Sequence, residues 1–188
     1  SLGETDPAEQ DFVHLTTLSK TGEGESLLSK FYAGLGRLDD AIATLTKGSE
    51  TYPDSLELRR SLVKLLLLRS HEGDRDRAVQ FLVQLKEELP NDPEMMRIRA
   101  ILLLQQGTDT ARRRAEELLK RVVDLEPTLV AAHLDLITLV MQRGGYEEAR
   151  ELAVRALGAN PANAKLYLIR AEIELALNNP DMTRQLVR

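Results

Sequence analysis

The side chains able to do chemistry are few and scattered. Three histidines, His14, His71 and His133, are the groups that titrate near neutrality. None has a second ligand at helical spacing, so they are read as packed or surface residues rather than metal ligands. His133 is expected to fill a packing position inside a helix. Acid pairs stand at Glu87-Glu88, Glu116-Glu117 and Glu147-Glu148, beside bases such as Lys120 and Arg150. General acid–base catalysis needs carboxylates converging in a cleft with separated pKa values. These pairs instead read as solvated helix faces with ion pairs inside each helix. The chain has no cysteine, no Gly-rich phosphate loop and no Ser, His and Asp set, so neither thiolate nor serine chemistry is expected. No catalytic, metal or cofactor site is assigned. The strongest basic cluster is Arg112-Arg113-Arg114, followed by Lys120 and Arg121. It suits docking of an acidic partner, lipid headgroups or RNA, but no aromatics interleave as single-strand binding requires. A polar helix face is the plainer reading.

The elements that position these residues follow from composition and spacing. Of 188 residues, 43% are hydrophobic and 29% charged, while aromatics make up only 4% and Trp is absent. A core of Leu, Ala, Val and Ile under a charged exterior fits stacked amphipathic helices; a β-sandwich calls for more β-branched and aromatic residues. The net charge of -5 weighs against general nucleic-acid binding. No apolar run approaches the roughly 20 residues of a membrane span, and the N-terminus lacks the pattern of a signal peptide. The opening Ser1-Leu2 fits a piece excised from a longer protein. Arginine-rich, lysine-poor usage hints at a bacterial source, and the compartment stays open between cytoplasm and periplasm.

One spacing organises the chain. Pro53, Pro90, Pro127 and Pro161 stand 37, 37 and 34 residues apart. Twelve residues before each is an alanine: Ala41, Ala78, Ala115 and Ala149. Gly36, Gly73 and Gly144 lie five before three of these, and Gly107 lies eight before Ala115. Each unit therefore reads as a helix pair. The Gly ends the first helix in a left-handed cap. The Ala lies where the second helix crosses the first. The Pro stops the second helix. Asp54-Ser55, Asn91-Asp92, Thr128 and Asn163 then start the next one.

First helices are predicted near 25–35, 54–71, 93–106, 128–143 and 163–178, and second helices near 39–51, 75–89, 110–125, 146–158 and 181–187. An N-terminal helix near 7–20 opens with Asp6 as cap and Pro7 at the first position. The second unit is expected to lengthen its first helix by most of a turn across Leu66–Gly73. The third is expected to place its surplus, Thr108–Thr110, in the inter-helix turn. Asn178 stands where the fifth unit would have a Gly.

These residues resemble the tetratricopeptide repeat, whose unit is about 34 residues. The resemblance covers residues 22–188, closely in the fourth unit and in the first, where Tyr32, Gly36, Ala41, Gly48 and Pro53 hold the marked places. The implied fold is an all-α, right-handed α-solenoid. A capping helix over 1–21 precedes units at about 22–55, 56–92, 93–129, 130–163 and a partial fifth at 164–188. A truncated fifth pair would leave an apolar edge at the C-terminal end.

The resemblance further implies a non-catalytic scaffold whose concave groove, lined by the first helices, binds a peptide or helix of a partner protein. It places contact positions at the second, fifth, ninth and twelfth places of each unit. These include Ser26 and Lys30; Arg60, Lys64 and Leu67; Arg97, Ile101 and Leu104; Leu134, Thr138 and Met141; and Leu168. The groove is expected to be basic in its first half and apolar further along, suited to a partner segment with acidic residues at one end and apolar ones at the other. The places where chaperone-tail receptors of this family use Asn hold Lys30, Lys64 and Ser61, which argues against that role. Two alternatives are self-association through the C-terminal end, and an adaptor domain of a larger enzyme or secretion protein.

Overall fold

A computed structural model describes residues 7–179. Among the described residues there are ten helices and no strand. They cluster into two compact units, one up to Pro90 and one from Asn91 on.

The first unit holds α1 (Pro7–Leu18), α2 (Glu23–Gly34), α3 (Leu38–Thr51), α4 (Leu56–Arg69) and α5 (Asp74–Glu88), each packed on the next. The second holds α6 (Pro93–Leu104), α7 (Asp109–Leu125), α8 (Val130–Gln142), α9 (Tyr146–Ala159) and α10 (Ala164–Ala176), packed in the same consecutive manner. The helix pairs are thus α2–α3, α4–α5, α6–α7 and α8–α9, with α10 opening a fifth. The cap proposed at Asp6, the fifth second helix near 181–187 and the open C-terminal edge lie outside the described residues.

The spacing rules hold at the level of atoms. Each second helix ends two residues before its proline, at Thr51, Glu88, Leu125 and Ala159. Ala41, Ala78, Ala115 and Ala149 are all 0% exposed, as a close helix crossing demands. Gly36, Gly107, Gly144 and Asn178 turn their chains with positive φ of 74°, 71°, 82° and 59°. Glycine takes this conformation without penalty, and asparagine is one of the few side chains that tolerate it. Asp92 caps α6 through Met95 N at 2.9 Å, and Asn163 caps α10 through Lys165 N at 3.1 Å. His133 is buried, its Nε2 donating to the Pro127 carbonyl at 2.9 Å.

Four local expectations are corrected. α4 runs only to Arg69, and its left-handed C-cap is Ser70, φ 55°; Gly73 instead opens α5 as its N-cap. The surplus of the second repeat therefore sits in the turn. In the third repeat the surplus goes the other way. Thr108 caps α7 by accepting from Ala111 N at 3.1 Å, and the helix that starts at Asp109 runs 17 residues, the longest among those described. Capping at Thr108 makes the added residues helical rather than loop. Thr128 does not cap α8, which starts one residue later from Leu129. Glu88 and Glu148 pair between helices rather than within one: the Arg59 fork holds Glu88 at 2.5 and 2.6 Å, and Glu148 of α9 takes Lys120 of α7 and Arg143.

One device recurs at the helix-pair turns. An arginine at the end of a first helix or in the turn after it bridges an acid on the preceding helix to an acid at the start of the following one. Arg37 joins Glu9 at 2.9 Å to Asp40 at 2.6 Å. Arg69 joins Asp39 at 2.6 Å to Asp74 at 2.5 Å. Arg143 joins Glu116 at 3.4 Å to Glu148. Asp74 is the buried member. The Arg69 fork holds its carboxyl down at about 2 against the upward push of burial, and the His71 backbone N–H lowers it further. Burial raises the Glu148 carboxyl, but bonds from Arg143 and Lys120 outweigh it and leave it lowered.

The packing partners differ by unit. In the first, Phe12 stacks on Phe31 at 4.8 Å, and Tyr32 donates to Glu9 at 2.8 Å under the Arg37 guanidinium. Backbones also come close: a Cβ at Gly24 would lie 2.6 Å from both Leu15 O and Thr16 Cα. In the second unit one alkyl cluster runs from Met96 and Ala100 through Leu119, Leu136 and Val140 to Ile173.

Candidate functional site

The contact positions expected from the repeat lie 3 and 4 residues apart, a spacing that keeps them on one side of a first helix. In the first unit the elements concerned are α2 and α4. Lys30 is exposed on α2, and Arg60 and Lys64 are half-buried on α4. Lys30 Nζ stands 3.6 Å from Glu57, and Arg60 stands 3.9 Å from the same carboxylate. The Ser61 hydroxyl also reaches Glu57, at 3.5 Å. The two cations therefore converge on one acid of the chain itself. A hollow of about 330 Å³ lies beside them, with Ser26, Leu27, Lys30, Ser55 and Glu57 in its wall.

In the second unit the elements are α6, α8 and α10. Arg97 donates through Nε to Asp135 of α8 at 2.6 Å, so this cation too has a partner within the fold. Ile101 is half-buried, and Leu104 and Met141 pack on the rim of the alkyl core. Leu134 packs against a small cluster of Ala156, Leu157 and Leu166. Thr138 is exposed. On α10, Lys165, Leu168, Glu172 and Leu175 are all exposed along one side, the two leucines at 57% and 58%.

Of the positions the spacing names, Lys30, Thr138 and Leu168 are exposed and Arg60 is half-buried. The sequence reading misses three residues. Glu57 occupies the second place of its repeat, and Leu175 the twelfth place of the fifth, so the same spacing rule could have found both. Asp135 stands outside the four places, and its role depends on a contact with another helix 38 residues away. The acids matter because an exposed cation already paired offers less field to a ligand.

Among the described residues no three His, Cys, Asp or Glu side chains converge as a metal set would. No described helix is long and apolar enough to cross a membrane. The arrangement is one of surfaces formed by consecutive helix pairs, each repeat offering a side of its first helix.

That architecture is the tetratricopeptide-repeat fold. Residues 103–173 match the sequence profile of the tetratricopeptide repeat family. Solved structures extend the likeness to nearly the whole chain. A tetratricopeptide repeat protein from Parabacteroides merdae superposes with a TM-score of 0.68 at 17% identity, covering 96% of this chain and 70% of its own. PilF of Pseudomonas aeruginosa gives 0.72 at 17% identity over 88% of this chain and 72% of its own. A thermophilic TPR protein of Thermus thermophilus gives 0.67 at 16% identity, with 88% of each chain covered. At this identity the likeness is one of fold. No curated protein matches the sequence significantly.

Proposed function

We propose that this chain is a non-catalytic interaction scaffold that takes a segment of a partner protein on the exposed side of its first helices. The observation that carries the reading is the pair Leu168 and Leu175, left in water along one side of α10 while Leu166 and Ile173 pack into the core. Exposed leucines one helical face apart are what an apolar, extended or helical partner segment would cover. In the first unit, Lys30, Arg60 and Lys64 favour a segment with acidic residues. Glu57 tempers the charge of Lys30 and Arg60, so the apolar positions are expected to contribute more affinity than the cations.

The test is co-purification of the protein from its source cell, followed by identification of what is retained. A Leu168→Glu, Leu175→Glu variant should lose the retained partner at unchanged melting temperature. Equal recovery by wild type and variant would overturn the reading.

Self-association is the second reading. α1 buries none of its residues and leaves Val13, Leu15 and Leu18 exposed, a face a second copy could cover. A light-scattering concentration series separates it from a monomeric receptor.

A further inference from the structure

The basic run at Arg112-Arg113-Arg114 has no part in the surfaces described so far, since it lies on the second helix α7. We infer that the junction of α7 and α8 is a separate docking site for an acidic segment of a partner protein. A hollow of about 330 Å³ opens between the start of α7 and the end of α8. That is the small end of the range for ligand pockets, roughly 300–1,000 Å³. Two of its members are already satisfied within the fold. Glu116 accepts from Lys120 at 2.7 Å and from Arg143 at 3.4 Å, and Arg143 also holds Glu148. What remains of its polar lining is Arg112, Arg113, the Gln142 amide and one carboxylate, Asp109.

These donors have weak partners or none. The carboxylate nearest Arg112 is Asp109 at 3.5 Å, and the two side chains are 58% and 91% exposed. Such a pair is screened by water and easily exchanged for a better acceptor. Arg113 has no ion-pair partner among the described residues. Beneath them Leu139, only 6% exposed, makes an apolar wall. Two guanidiniums can each take a carboxylate in a two-pronged bond, and the leucine suits an apolar side chain beside it.

The occupant is therefore a peptide bearing Asp or Glu next to an apolar residue. A phosphate-rich strand or anionic bilayer fits less well. Glu117 and Asp124 are exposed on the same helix and interrupt the cationic surface, and no aromatic lines the hollow. The whole chain also carries a net charge of -5.

The test is fluorescence anisotropy on the full chain with a fluorescein-labelled, amidated hexapeptide Glu-Leu-Glu-Glu-Leu-Glu. Its Gln-for-Glu counterpart, a labelled single-stranded DNA and phosphatidylserine vesicles serve as competing probes. The acidic peptide is expected to bind best, more weakly as salt rises. R112E/R113E should raise its Kd by about tenfold or more, with R112K/R113K between that and wild type. K86E should leave the Kd unchanged, because Lys86, exposed on α5, takes no part in the hollow. Circular dichroism should be the same for all, since the mutated arginines are exposed. The inference falls if wild type does not bind the acidic peptide or if R112E/R113E binds it equally well. It also falls if K86E costs as much, or if DNA or vesicles bind more tightly than the peptide.

Discussion

The two units are built from the same helix pair over the same kind of buried alkyl core, with alanines at the crossings of both. The first adds polar bridges and a backbone approach at α1: Glu9, Arg37 and Tyr32 tie α1 to the turn after α2, and Gly24 lets α1 and α2 touch. The second carries one continuous alkyl cluster from α6 to α10. Their candidate surfaces differ in the same sense. The α2–α4 side is charged and partly self-neutralised, whereas α10 shows leucines to water. The repeat thus prescribes a crossing geometry, not a chemistry. Any set of side chains that meets the spacing can hold it together.

The most forceful challenge to this contrast is made at a crossing. Ala149→Trp places a large ring at a fully buried position and should cost about 3 kcal/mol, read as a lowered midpoint in chemical denaturation. An unchanged midpoint would mean that α8 and α9 do not pack as described. In the first unit the equivalent stress is Gly24→Ala. Its methyl would collide with the backbone of α1 at 2.6 Å, which cannot yield as a side chain can. About 2 kcal/mol should be lost, and hydrogen exchange should rise in α1 before it rises elsewhere.

Acid separates the units in a second way. The Asp74 carboxyl is lowered from 3.8 to about 2, so the stability it contributes is present above pH 4 and fades as pH falls toward 2. Asp74→Asn should lower stability at pH 7 by about 2 kcal/mol and flatten this acid limb. In the second unit burial pushes the His133 imidazole down, partly opposed by its bond to the Pro127 carbonyl. A lowered base favours the neutral native form. Its contribution is complete above pH 6.5 and declines as pH drops below that value. His133→Gln should remove the decline below pH 6.5, the smallest of these effects. A thermal series at half-unit pH steps checks both limbs, and a variant that leaves its own limb unchanged would refute the assignment.

Much of this architecture was legible in residue types. Proline two residues past a helix end, glycine with positive φ at a turn and alanine at a crossing each have a local cause that single positions express. Ser70 was not legible, because a left-handed serine is selected by the turn around it rather than by its own preference. Nor did Thr108 signal that its neighbours would join α7 instead of a loop. The surfaces were less legible than the helices. Lys30, Arg60 and Arg97 were readable as cations, but Glu57 and Asp135 reach two of them from a neighbouring helix. Charge on a surface depends on who stands opposite, and a repeat rule applied one helix at a time does not see across.

The constant distance from helix end to proline has a practical outcome. Four seams share one local backbone plan, so a repeat could be excised, duplicated or exchanged between prolines without redesigning the joints. Engineers could then treat the chain as a set of cassettes, grafting a new recognition surface onto one pair while its neighbours keep their own.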